Sequence, residues 1–256
     1  MNLSIMPAPI SHARPHQRVL HDLRARIARI GHTARPAHAM LPFGVPAIDR
    51  HLPQGGLALG AVHQVTDAAH AAAAALFVAG ILARLDGTVL WCLSHQDLFA
   101  PALASVGLHP DRVIYAEPAD DAGVLLCLEE GLRQAGLAAV VGEVARLPMT
   151  ASRRLQLAAE ASGVTAFIIR RWRRAADAAE FAQPSAAVTS WRISAAPSAA
   201  LPVPGIGRAG WRVELVRSRG GAAAAWDMEA CDAEGCLALS ADLADRSAAA
   251  SPDRAA

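Results

Sequence analysis

Lysine is missing altogether: all 24 basic residues of the 256-residue chain are arginine. Any mechanism that turns on a lysine, such as a lysine that cradles phosphates or forms a Schiff base, is thereby excluded. Cysteine is sparse, and Cys92, Cys127, Cys231 and Cys236 form neither a CxxC pair nor a ligand grouping with histidine. That spacing points to reduced thiols, with no disulfide and no metal site. Aromatics make up only 4% of the chain, and the 53% hydrophobic content is swollen by alanine rather than by membrane-spanning runs. The richest apolar stretch, 68–85, is interrupted by His70 and Arg84, short of the ~18 apolar residues that span a bilayer. No secretory signal is expected, because His12, Arg14, His16 and Arg18 stand where its apolar region would belong. The arginine-bearing, acid-poor start shares features with organelle transit peptides, yet an Ala/Arg/Pro-rich chain points to a bacterial, cytoplasmic protein. Net charge is +1, which excludes a globally basic nucleic-acid coat.

What is present is organised. Residues 1–15 mix Pro, His, Ser and Ala without period and read as a tail. Val19, Leu20, Leu23, Ile27 and Ile30 then recur at helical spacing among Arg18, Arg24, Arg26 and Arg29, predicting a basic amphipathic helix that Gly31 stops. A linker over 35–41 contains Pro36. Beyond Phe43 the pattern predicts strands over 61–65, 88–93, 113–116, 138–141 and 164–169, alternating with helices over 69–85, 101–106, 122–135 and 152–161. This alternation predicts an α/β fold built on a mostly parallel sheet with right-handed crossovers. A strand over 190–194 follows, and 211–216 and 226–230 flank Gly220-Gly221 as an antiparallel hairpin. The expected organisation is a tail and basic helix over 1–38, a core over 39–240 and a disordered tail over 241–256.

The decisive stretch is LPFGVPAID over 41–49, followed by GGLALGAVHQV over 55–65. It is similar to the segment that opens the RecA recombinase core and delivers the chain to its phosphate-binding loop. Continuing without a gap, the two loop glycines fall on Asp67 and Ala72, the lysine on Ala73 and the magnesium-binding hydroxyl on Ala74. Without those glycines successive backbone N–H groups cannot curl round a phosphate, and Asp67 adds charge of the wrong sign. Two further RecA-like positions are altered in the same direction. Gln96, in Ser94-His95-Gln96-Asp97-Leu98, stands near the place of the family's catalytic glutamate, and an amide is no general base. After the apolar run 139–142 the expected aspartate is missing; Glu143 follows one position late, either as a displaced carboxylate or as an ordinary solvated or structural acid. No cofactor and no catalytic residue are expected, and the chain reads as a pseudo-ATPase.

A RecA-like core with a degenerate phosphate loop, a basic amphipathic helix before it and the block 226–245 after it resembles the ImuA family, bacterial translesion-synthesis accessory proteins related to RecA and to the cell-division inhibitor SulA. The resemblance spans roughly 18–246, and the order of its motifs carries more weight than any one of them. It implies damage-inducible (SOS) mutagenesis alongside the polymerase-like ImuB and an error-prone replicative-type polymerase, with RecA as a further partner to consider. An ATPase with an atypical loop and a stand-alone single-strand-binding module are the competing readings.

Two surfaces are candidates for contact. Arg170, Arg171, Trp172, Arg173 and Arg174 follow a strand that leads, in RecA-like proteins, to a DNA-binding loop; guanidiniums on phosphates and an indole under a base suit single-stranded DNA. The plain alternative is strand-end arginines that are solvated or paired with Asp177 and Glu180, with Trp172 packed inward. Val19, Leu20, Leu23, Ile27 and Ile30 either dock in a partner's groove or cover the chain's own core. The acids Asp227, Glu229, Asp232, Glu234, Asp242 and Asp245 read as a solvated tail, or as one that docks on a basic partner. His63, His70 and His95 have no ligand spacing, though His70 and His95 fall near the altered nucleotide pocket as a remnant polar pair.

Overall fold

The computed structural model of the protein describes residues 39–67, 71–171, 183–198, 205 and 207–239. The first elements make a small antiparallel ladder, β1 (Met40–Leu41) against β2 (Leu57–Ala58), so the expected linker over 35–41 ends in a strand. Between them, α1 (Pro46–Asp49) opens on a proline whose missing N–H would have had no partner there. The Asp49 carboxylate accepts from the N–H groups of Phe43 (2.7 Å) and Gly44 (3.1 Å), closing the loop onto its own helix.

The main sheet takes in β3 (Val62–Asp67), β4 (Thr88–Leu93), β5 (Val113–Ala116), β6 (Leu137–Val144), β7 (Thr165–Arg170), β8 (Thr189–Ala196), β9 (Gly210–Ser218), β10 (Ala224–Glu229) and β11 (Ala238–Leu239). Across it the order is β11-β10-β9-β8-β3-β7-β6-β4-β5. All pairs from β8 to β5 are parallel, whereas β8–β9, β9–β10 and β10–β11 are antiparallel. The fold is therefore α/β on a large, mostly parallel sheet, with the expected hairpin added at one side.

Alternation along the strands divides the core in two. Val65, Trp91, Phe167, Ile169 and Trp191 face α2 (Ala71–Ala83) and α3 (Ala100–Ala104), while Val62, Cys92, Val140, Ala166 and Ile168 face α4 (Asp121–Leu132) and α5 (Met149–Ser162). On α2, Phe77, Val78, Ile81 and Leu82 are all buried, as for a helix enclosed on several sides. Its C-terminal end is held by Arg112, whose guanidinium donates to the carbonyls of Ala83 (3.3 Å), Leu85 and Gly87 (3.0 Å), a cation placed on the negative end of the helix.

Strands β4 and β5 have the expected bounds. By contrast, β6 runs past Glu143 to Val144 and β7 takes in Arg170, because both charged side chains are buried and paired. The segment after Trp226 also departs from expectation. Rather than a solvated tail, it returns to the core with Met228, Ala230, Cys231 and Leu237 buried against α2. The approach is so close that a Cβ at Gly80 would collide with the Cys231 sulfur, and one at Gly235 with the Gly80 carbonyl oxygen. Among the described residues, no helix is long and apolar enough to cross a membrane.

Candidate functional site

In an open parallel sheet the ligand site lies beyond the carboxyl ends of the strands. Here that edge is formed by the ends of β3, β4, β6 and β7 at Asp67, Leu93, Val144 and Arg170. The phosphate-loop positions are all placed. Asp67 is the last residue of β3, and Ala72, Ala73 and Ala74 belong to the first turn of α2, which begins at Ala71. Residues 68–70 alone separate strand from helix. The motif positions thus fall at a strand end and a helix start, and what departs from the phosphate motif is the residues that occupy them. Ala74 is 0% exposed and Ala73 7%, so a lysine and a hydroxyl at these positions would enter the core instead of reaching for a phosphate.

Beside this junction, Ala72, Ala75 and Leu76 of α2, with Leu98, Phe99 and Leu103, line an apolar pocket of about 120 Å³, to which Asp97 and Arg171 add polar groups. That volume lies well below the roughly 300 Å³ at which small-molecule pockets begin. Phe99 stands 70% exposed beside it.

Glu143 is inside β6 and only 5% exposed, which removes the solvated reading of this acid. Its Oε1 accepts from the Trp91 indole N–H at 2.8 Å, and its Oε2 is ion-paired with Arg171. The same guanidinium holds Asp97 through two hydrogen bonds of 2.8 and 3.0 Å. Arg171 is thus a cation fixed between two carboxylates. Burial lowers its proton affinity, but Glu143 and Asp97 together outweigh burial and leave it above the ordinary arginine value. One cation thus bridges two acids at the strand-end crevice. Sequence reasoning missed this network; its signals were an acid embedded in an apolar strand and an arginine directly after the next strand.

The DNA-binding candidates need correction at two positions. Arg170 ends β7 at 3% exposure and donates through Nε and Nη2 to the Ala145 carbonyl (3.1 and 2.8 Å), so it has no face to offer a phosphate. Arg171 is engaged by Glu143 and Asp97. Trp172, Arg173 and Arg174 lie outside the described residues, as do Asp177, Glu180 and the partner-binding candidates Val19, Leu20, Leu23, Ile27 and Ile30.

The remaining polar candidates have local roles. Gln96 donates from its amide to Glu117 in an exposed loop, and His95 meets Ser94 at 2.9 Å. His63 belongs to the core, at 0% exposure, between the Ala58 carbonyl (2.7 Å) and the Thr189 hydroxyl (2.8 Å); burial pushes its pKa down to about 4. His70 is outside the described residues. Of the C-terminal acids, Asp227 pairs with Arg212 (3.0 Å) and Glu229 with Arg208 (3.3 Å), while Asp232 accepts from the N–H groups of Glu234 and Cys236. Among the described residues, no group of three His, Cys, Asp or Glu side chains could hold a metal ion.

No family model matches the chain. The fold is similar to the crystal structure of the RadB recombinase, with a TM-score of 0.52 and 18% identity over 77% of this chain and 98% of that one. In sequence it is similar to the proteins named ImuA from two strains of Caulobacter vibrioides, NA1000 / CB15N and ATCC 19089 / CIP 103742 / CB 15. Identity to each is 39%, covering 76% of this chain and 84% of the relative. On that identity and coverage, joined to a RecA-like sheet whose phosphate-loop positions are Asp67, Ala72, Ala73 and Ala74, the chain belongs to the ImuA family.

Proposed function

We propose that the protein is a non-catalytic accessory component of a damage-inducible translesion synthesis assembly, in which a RecA-type fold serves as a scaffold rather than an engine. One observation carries the non-catalytic half of this reading: the lysine and hydroxyl positions of the phosphate motif are Ala73 and Ala74, buried in the first turn of α2. The Glu143–Arg171–Asp97 network supports it, since two carboxylates at this edge are already paired with one cation. The scaffold half comes from membership of the ImuA family, for which the working partners are a polymerase-like protein and an error-prone replicative-type polymerase.

Contact with single-stranded DNA, in this reading, falls to Trp172, Arg173 and Arg174, because Arg170 and Arg171 have other partners. Two experiments test the proposal. Calorimetric titration with ATP and magnesium should give no binding, and a micromolar dissociation constant would restore the ATPase reading. Co-expression with the polymerase-like protein should yield a stable complex that weakens when Leu23 and Ile27 are changed to Ser; a chain that stays monomeric beside its partner removes the scaffold role.

A further inference from the structure

We propose that Arg217 and Arg219 form a phosphodiester-binding point at the end of the sheet opposite the strand-end crevice. Ser190, near the start of β8, pairs with Arg217 near the end of β9, and β8 runs parallel to β3 and β7. The two arginines therefore lie at the amino-terminal edge of the parallel strands, about one strand length, roughly 20 Å, from Arg171.

Their setting differs from that of the other arginines on this side of the sheet. Arg192 pairs with Glu214, Arg208 with Glu229 and Arg212 with Asp227. Arg217 donates instead from Nη2 to the carbonyls of Ser185 (3.1 Å) and Ala187 (2.7 Å), and Arg219 from Nη2 to that of Ala186 (2.9 Å). Two guanidiniums are thus held side by side on three successive carbonyls, each by one nitrogen, and neither forms an ion pair among the described residues. Burial, and then the charge of Arg219, hold the Arg217 proton affinity below the ordinary value, and no acid acts in the opposite sense. An anion bridging the pair would relieve that repulsion, and the remaining N–H groups of both forks suit phosphate oxygens.

The surroundings favour a nucleic-acid backbone over an acidic protein. The exposed neighbours are 219–223, an arginine followed by two glycines and two alanines, and Arg50, next to His51, whose carbonyl packs against Gly221. Apart from Val216, no long aliphatic or aromatic side chain among the described residues is exposed there. A protein interface is built on an apolar centre, whereas a phosphate contact requires fixed cations alone.

This inference rests on the reading that the protein works at DNA, and its test is separable from the partner experiment. Binding of a fluorescein-labelled 20-mer, single-stranded and duplex, to the whole chain would be followed across a salt series. Arg217→Gln/Arg219→Gln keeps a polar side chain at each position but removes both charges. It should weaken single-strand binding about tenfold at 0.1 M salt and reduce the slope of log affinity against log salt by about 1.4. Arg217→Lys/Arg219→Lys should stay within about threefold of wild type. If the glutamine pair melts early, Arg219→Gln alone is read, with a slope change of about 0.7. The proposal is overturned if the charge-free variants bind as wild type does, if wild type binds neither oligonucleotide, or if polyglutamate binds more tightly than DNA at the same salt. The first of those outcomes, beside intact co-purification with the polymerase-like partner, would remove this site and leave the proposed function standing.

Discussion

Two polar side chains, one buried and one half-buried, set conditions on stability. His63 is neutral in the fold: its Nε2–H donates to the Ala58 carbonyl, and its Nδ1 accepts from the Thr189 hydroxyl, which in turn accepts from the Trp191 indole at 2.8 Å. Because burial lowers its pKa to about 4, the unfolded chain takes up a proton near pH 6.5 and the folded one does not. Stability is therefore complete above about pH 6.5 and falls by about 3 kcal/mol as pH drops to 4. Urea midpoints measured between pH 7.5 and 4 should fall accordingly, and His63→Gln should flatten that part of the profile. Arg171 poses the converse case. Arg171→Ala leaves the enclosed Glu143 carboxylate without its cation, a loss of about 3 kcal/mol where one partner of a largely buried pair is removed. Arg171→Ala/Glu143→Gln should recover more than half of that in the same urea titration, and equal losses in the single and double variants would show that the pair is not coupled.

At the scale of elements, the proposed loss of nucleotide chemistry centres on the junction between β3 and α2, and restoring two residues alone should not restore a site. Ala73→Lys/Ala74→Thr recreates the basic and hydroxyl positions of the phosphate motif, but both side chains start in the core. Overpacking and an added buried polar group should cost about 3 kcal/mol, read as a lower midpoint of thermal unfolding, with no ATP binding by calorimetry. Binding at micromolar ATP would mean that the junction rearranges easily. The altered motif was legible in the sequence because it depends on residue identity, and β4 and β5 were legible because turn residues bound short runs of β-branched and aromatic side chains. The ends of β6 and β7 were not. Glu143 and Arg170 read as strand terminators, and only the packing of β4, β6 and β7 shows that each charge has a buried partner. The register that brings Asp97, Glu143 and Arg171 together joins positions far apart in the chain, a relation that no local pattern carries.

For the whole molecule, the open question is whether the antiparallel side of the sheet is an appendage or part of one cooperative unit. Its side chains argue for the second. Trp191 and Trp211 bring their rings to 5.7 and 6.5 Å from Phe77 on α2, and Phe43 stacks on the same ring at 6.1 Å. The segment from Ala230 to Leu237 then closes over α2 at Gly80, where the C-terminal block and the helix approach too closely for any side chain. Sequence reasoning saw the hairpin but not this closure, because Cys231 and Leu237 follow no period; their partner is a glycine in a distant helix. If the closure belongs to the folding unit, Gly80→Ala should lower stability by about 2 kcal/mol, even though alanine is the better helix former, because the Cys231 side chain must move. Circular dichroism and tryptophan fluorescence should shift together in a single transition. If the C-terminal segment is instead a separable strap, the same substitution should leave the melting of the parallel core unchanged and show only as new protease cleavage between Ala230 and Leu239.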